Sequence, residues 1–220
     1  MPSAPPEAAA HSLRLWAVLE FNLSPRSNAT VQFKDSSPPG GGFPGLIAVA
    51  TEIMSQPLAQ TFPAPLVSSI MRVEPAWIDY NGHLNMAYYN VLFDRAVDEA
   101  YELIGCGLAY LKKRRHSCFT AEVHVRYLRE LNAGDPARVT FQLLDYDAKR
   151  LHYFEQLFHA DEGWLSATSE NMALHVDMEA KKTAAFPDDI AARLAQMKAA
   201  HATLPVPEGV GRRIAMPGKT

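Results

Sequence analysis

One long helical stretch set ahead of four strand-like runs constrains this chain more than any other feature. Between residue 85 and about residue 104, Tyr88, Val91, Leu92, Val97, Ala100, Tyr101, Leu103 and Ile104 recur at helical spacing and make an apolar face. Asn90, Asp94, Asp98 and Glu102 step by four along the other side. Asn85 is a good N-cap residue, and Gly105 stands where a C-terminal glycine belongs. A helix of roughly 20 residues, at about 1.5 Å each, is a rod of about 30 Å, long enough to be the central element of a small domain.

The runs around it read as strands. Residues 65–78 form one, bent or ended near Pro75. Over residues 119–127, Phe119, Ala121, Val123, Val125 and Tyr127 alternate with Thr120, Glu122, His124 and Arg126, a period of two. Residues 138–146, 151–160 and 164–177 follow, and the short polar connections at 147–149 and 161–163 predict antiparallel hairpins. A last helix is expected over 187–201, with Pro187 in its first turn. Strand, long helix, then four strands implies an α+β domain, an antiparallel sheet of about five strands on one central helix.

Three segments are expected. Ten of the 16 prolines fall in residues 1–65, the run Gly40, Gly41, Gly42 and Gly45 lies there too, and no sustained period is visible. Residues 1–60 are therefore expected to be a disordered extension. Alternatively, residues 1–53 are no part of the natural protein, because Met54 opens a workable start, MSQPLAQTFPAPLVSS; peptides from 1–53 in the native protein would exclude this. The folded domain is expected over 61–185, and a C-terminal helix and tail over 186–220. A net charge of -3 and a pI near 6.2 give no general attraction to nucleic acid or anionic membrane. No apolar run approaches the roughly 20 residues that span a bilayer. Cys106 and Cys118 have no metal or redox spacing, so a reduced, cytoplasmic protein is expected.

The chemistry is concentrated where the first strand meets the helix. The stretch Asp79-Tyr80-Asn81-Gly82-His83-Leu84-Asn85, followed by Tyr88-Tyr89, resembles the D-x-x-G-H-x-N-x-x-Y signature of hotdog-fold acyl-CoA thioesterases of the hydroxybenzoyl-CoA thioesterase-like branch. FTAEVHVRYLRELNAGD, residues 119–135, resembles that family's next strand and its Gly-Asp turn. The resemblance covers about residues 66–180, and residues 77–83 look most like the thioesterases of carnitine and betaine metabolism. Many members carry a further acid two residues before the one matching Asp79; here that position is Trp77, so one acid has to suffice.

Thioester hydrolysis needs a carboxylate, to attack the carbonyl or activate water, and donors for the oxygen that becomes negative. A helix start offers such donors. The resemblance implies Asp79 as nucleophile or general base and the Met86 backbone N–H as oxyanion donor. His83 is a further catalytic candidate, against the alternative that it only fixes the loop. Candidate substrate-binding residues are Asn81, Gly82, Asn85, Tyr88, Glu122 and His124, together with Lys112 and Arg114 for the phosphates of coenzyme A. The structural alternatives are a turn residue at Asp79, a loop and cap at Asn81 and Asn85, and a solvated face at Lys112 and Arg114. No metal and no cofactor are expected, coenzyme A being part of the substrate. One helix leaves a sheet edge open, and hotdog proteins dimerise, so a homodimer or homotetramer with the site at the subunit interface is implied. Two other functions stay open. A hotdog hydratase or dehydratase would use D-x-x-x-x-H, with four intervening residues, whereas Asp79 and His83 are separated by three; a non-catalytic acyl-CoA-binding module is the second.

Overall fold

Asn85 starts the central helix. Its backbone is extended (φ -63°, ψ 139°) and its side-chain oxygen accepts the Ala87 N–H at 2.9 Å, satisfying one of the donors left over at a helix start. Helix α1, Met86–Ile104, then runs to Gly105, whose φ of 85° is left-handed and whose N–H returns to the carbonyls of Glu102 and Tyr101. The computed structural model describes residues 61–216, and the expectations about residues 1–60 lie outside the described residues.

Four long strands receive the helix. They are β3, His116–Tyr127; β4, Pro136–Tyr146; β5, Arg150–His159; and β6, Leu165–Asp177. Every pairing is antiparallel, and hairpins join β4 to β5 and β5 to β6. The expected first strand is instead two short pieces, β1, Leu66–Val67, and β2, Met71–Arg72, followed by a 3-10 turn at Pro75–Trp77. Leu66 faces Phe141 and Met71 faces Ala137, so this segment holds one residue more than the stretch of β4 it crosses. Ser68 sits at the break, its N–H donating to Val139 O (2.8 Å) and its hydroxyl accepting from Val139 N (3.0 Å).

The sheet order is β1-β4-β5-β6-β3, with β2 also on β4 and β7, Lys182–Thr183, on β6. Helix α2, Leu108–Arg114, was not anticipated: seven residues are too few to show a period. The side chain of Glu102 caps it by accepting the Leu108 N–H at 2.8 Å.

The buried face of α1 is Tyr89, Leu92, Phe93, Ala96, Val97, Ala100, Tyr101 and Ile104. It joins two clusters. Around the helix start, Trp77, Leu84, Leu92, Leu131, Val139 and Leu157 pack together, and they clamp the polar turn from both sides. Each fully buried leucine, such as Leu84 or Leu131, stabilises the fold by about 2 kcal/mol. The other cluster takes in α3, Asp188–His201, through Phe186, Ile190, Leu194 and Met197. The C-terminal helix is therefore part of the domain core rather than a segment of its own. Buried His201 fastens it: Nδ1 accepts the Leu143 N–H (2.8 Å) and Nε2 donates to Pro63 O (2.9 Å).

Strand β3 closes the sheet order and leaves an edge open among the described residues. Its period of two is interrupted by a bulge between Thr120 and Glu122. Phe119, Glu122 and His124 face Leu174, Met172 and Glu170, whereas Val123 and Val125 face Asn171 and Ser169. The extra residue puts Phe119 on the face opposite Val123, contrary to the simple alternation.

The carboxylates along α1 carry a cost. Burial first, then Asp94 and Glu102 one helical turn away on each side, push the Asp98 carboxyl up to about 6. A raised acid favours the fold below its unfolded pKa of about 3.9, and that contribution is lost as pH rises through 6. Asp98→Asn is therefore expected to stabilise at pH 7 by about 1 kcal/mol, after allowing for solvent screening of a half-exposed group. The gain should vanish below about pH 4. Urea unfolding of both proteins at pH 4 and pH 7 checks this, and an equal shift at the two pH values would contradict it.

Candidate active site

The polar turn is held by backbone hydrogen bonds at both ends. Asp79 N donates to His83 O (3.1 Å), Gly82 N to Asp79 O (3.0 Å), and Ile78 and Leu84 form a bridge. Gly82 has a φ of 88°, and a Cβ there would meet nothing within 4 Å, so the glycine serves the backbone conformation. Leu84 N donates to Leu131 O (2.8 Å) and Asn85 N to Trp77 O (3.0 Å), which fixes the turn onto the start of α1.

Half-buried Asp79 has its two oxygens in different surroundings. Oδ1 accepts the Asn81 N–H at 2.8 Å, as in an Asx turn; among the described residues Oδ2 has only a long contact, 3.5 Å, from the Asn85 amide. Asn85 thus caps the helix and touches the acid. Ala87 N–H is taken by the Asn85 side chain and Tyr88 N–H by Asn85 O, while the Met86 N–H, at the first helical position, finds no acceptor among the described residues.

Asp79, Asn81, His83, Asn85 and Met86 line one cavity of about 540 Å³. Its other wall, which sequence reasoning missed, is Tyr89 together with Tyr127, Leu128, Arg129 and Glu130. Tyr127 donates its hydroxyl to Met86 O (3.2 Å) and meets Tyr89 edge-on at 5.0 Å. Arg129 stacks 3.9 Å over Trp164, and Ser166 accepts the N–H groups of Leu128 and Arg129 at 2.8 and 3.0 Å, so this wall is fixed by β6. His83 contacts Glu130 (Nε2 to Oε2 4.0 Å) and the carbonyl of Leu84 (3.4 Å), the contacts of a residue that joins the two walls.

The remaining expected residues are elsewhere. Tyr88 stacks on Trp77 (5.4 Å, 12°) at the 3-10 turn, while its neighbour Tyr89 lines the cavity. Glu122 and His124 lie on the face of the sheet away from α1, where they line a second cavity with His152, Glu170 and residues 211–214. Arg114 makes a paired contact with Asp189 (2.9 and 2.7 Å), which satisfies its charge within the chain; Lys112 is exposed on the last turn of α2. Cys106 and Cys118 are neighbours, and a hydrogen bond to Cys106, then burial, pushes the Cys118 thiol up, away from nucleophilic behaviour. Among the described residues there is no cluster of three metal-ligating side chains, and no helix long and apolar enough to cross a membrane.

Residues 73–194 match the Thioesterase-like superfamily. The Betainyl-CoA thioesterase of Pseudomonas aeruginosa is 41% identical over 145 residues, which are 66% of this chain and 91% of that protein. The L-carnitine dehydrogenase/betainyl-CoA thioesterase of Rhizobium meliloti is 38% identical over 160 residues, 73% of this chain but only 32% of that longer protein. A Staphylococcus aureus protein solved in complex with CoA superposes with a TM-score of 0.64 at 31% identity, covering 72% of this chain and all of that one. With the family match running from just after β2 into α3 across the helix and all four long strands, the chain belongs to the Thioesterase-like superfamily and is a hotdog-fold thioesterase.

Proposed function

We propose that the protein hydrolyses an acyl-CoA thioester to a free acid and coenzyme A at the cavity where the polar turn meets α1. One observation carries this reading: Asp79 and the unengaged N–H of Met86 open onto the same cavity. The thioester carbonyl oxygen accepts from Met86 N–H, where the helix start adds partial positive charge. Asp79 then acts by one of two routes. As a nucleophile, its carboxylate attacks the carbonyl carbon, the C–S bond breaks, coenzyme A leaves as thiolate, and water hydrolyses the resulting anhydride. As a general base it takes a proton from water, hydroxide attacks the same carbon, and the departing thiolate is protonated. A single turnover in oxygen-18 water, followed by mass analysis of the Asp79 peptide, tests the first route: label in the carboxylate marks attack of water on the Asp79 side of the anhydride, which the general-base route cannot give.

The substrate class we favour is a betainyl thioester, supported by the relative matched over 91% of its length. Lys112 is the remaining candidate for the phosphates of coenzyme A, a substrate that fits a cytoplasmic enzyme. Exposed Phe119, Val123 and Tyr127 on the open strand β3 support pairing with a second copy, which would bring two sites to one interface. Incubating the full chain with betainyl-CoA and with an enoyl-CoA tests the reaction class. Free betaine and free thiol are the expected products. Loss of the enoyl absorbance would favour a hydratase, and tight binding without turnover a binding module.

A further inference from the structure

Alternation along β5 places Leu151, Tyr153, Glu155 and Leu157 on the buried side of the sheet, so an acid stands in an apolar row. Glu155 is 1% exposed. One of its oxygens accepts from Asn171 Nδ2 at 3.2 Å; the other, Oε1, has no partner among the described residues. Burial, then the nearby charge of Asp94, pushes its carboxyl well above the usual range, and the Asn171 contact only partly offsets this. An unpaired buried carboxylate is costly, and a fold keeps one where something else completes it.

What it faces is a cavity of about 350 Å³ between α1 and β3, separate from the one at Asp79. Asp94 stands exposed at its edge, while Phe93, Val97, Val123 and Tyr153 supply apolar and aromatic wall. Among the described residues the lining holds two acids and no basic residue. A soft cation clothed in methyl groups suits such a chamber: the acids match its charge, the aromatic faces attract it, and the methyls fill the apolar part.

We propose that this cavity is the specificity subsite for the quaternary ammonium end of the acyl group, with Glu155 as its counter-charge. The inference rests on the thioesterase reading above. Met86, Asn90 and Asp94 follow one another at four-residue steps, so the cavity lies about 12 Å along α1 from the oxyanion donor. Only two covalent bonds separate the carbonyl carbon of a betainyl group from its nitrogen. The thioester that the subsite serves is therefore held at the helix start of a second copy, brought alongside by the open edge of β3.

The test compares betainyl-CoA with its neutral isostere, 3,3-dimethylbutanoyl-CoA, in full-length wild type and Glu155→Gln. Glutamine keeps an acceptor for Asn171 and removes the charge. Wild type is expected to favour the cationic thioester by at least about tenfold in kcat/KM, as the attraction of a desolvated cation to aromatic faces is worth. Glu155→Gln should erase the preference, lowering kcat/KM for betainyl-CoA by much more than for the isostere. Equal losses on both thioesters, or an unaltered preference, overturn the proposal. Should Glu155→Gln not fold, Asp94→Asn at the cavity edge reads the same preference, which should fall severalfold. Calorimetric titration of both compounds into Asp79→Asn protein, with and without Glu155→Gln, measures the preference without turnover. Hydrolysis failing in wild type sinks the thioesterase reading; the binding preference failing to respond to Glu155 sinks this one. Mixing Asp79→Asn with Glu155→Gln subunits should recover part of the betainyl-CoA turnover, and no recovery after full exchange overturns the placement across two copies.

Discussion

Asp79→Asn is expected to lower kcat for thioester hydrolysis by about 10³-fold, in the range that a positioned acid or base contributes. The substitution is nearly isosteric. Its carbonyl oxygen can still accept the Asn81 N–H that now bonds Oδ1 at 2.8 Å, so the turn keeps its shape. What disappears is the negative charge and the lone pair on Oδ2, the oxygen with the long contact from Asn85. Neither attack on a thioester nor proton abstraction from water is open to a neutral amide. Initial rates of thiol release, with thermal unfolding midpoints for both proteins, check the expectation. A variant within a few-fold of wild type would return the turn to a structural role.

Met86→Pro gives the second large effect, through the backbone alone. Proline has no N–H, and it is well tolerated at the first position of a helix, where its fixed φ fits and the N–H has no intrahelical partner. The residue ahead of it must be extended, and Asn85 already is, at φ -63° and ψ 139°. Met86 is 64% exposed, so losing its side chain removes little packing. Deleting one oxyanion donor costs about 10² to 10³ in kcat, close to 3–4 kcal/mol of transition-state stabilisation. The unfolding midpoint should hardly move, and Met86→Ala, which keeps the N–H, should stay near wild-type activity. A Met86→Pro protein as active as Met86→Ala would remove the backbone donor from the mechanism.

The parts of the fold legible in the sequence were those with enough residues to show a period and a cap. Nineteen residues between Asn85 and Gly105 define α1 unmistakably, and hairpin chemistry at 147–149 and 161–163 sets β4 to β6 in order. Single-residue irregularities were not legible. The surplus residue at Ser68 breaks the first strand because of where β4 bonds to it. The bulge after Thr120 turns Phe119 over because of its partner β6. Neither partner is visible in local sequence.

The site divides in the same way. Asp79, Asn81, His83 and Asn85 stood out because four polar residues crowd a turn leading into an apolar helix. Tyr127 to Glu130 reach the same cavity through long-range contacts such as that of Leu84 with Leu131, nearly fifty residues apart in the chain. Glu122 and His124 were chosen for polarity on a strand whose facing the bulge then decided. Glu155 did leave a signal: an acid at an inward position between Tyr153 and Leu157 breaks the apolar row. Its consequence needed the cavity on the other side of that row.

The most direct measurement is free-thiol release by the full-length protein from a panel of acyl-CoAs with short, long, aromatic and betainyl acyl groups. The account predicts steady turnover, with betainyl-CoA the preferred substrate. No release from any thioester, by protein that is folded and binds the same compounds, would contradict it.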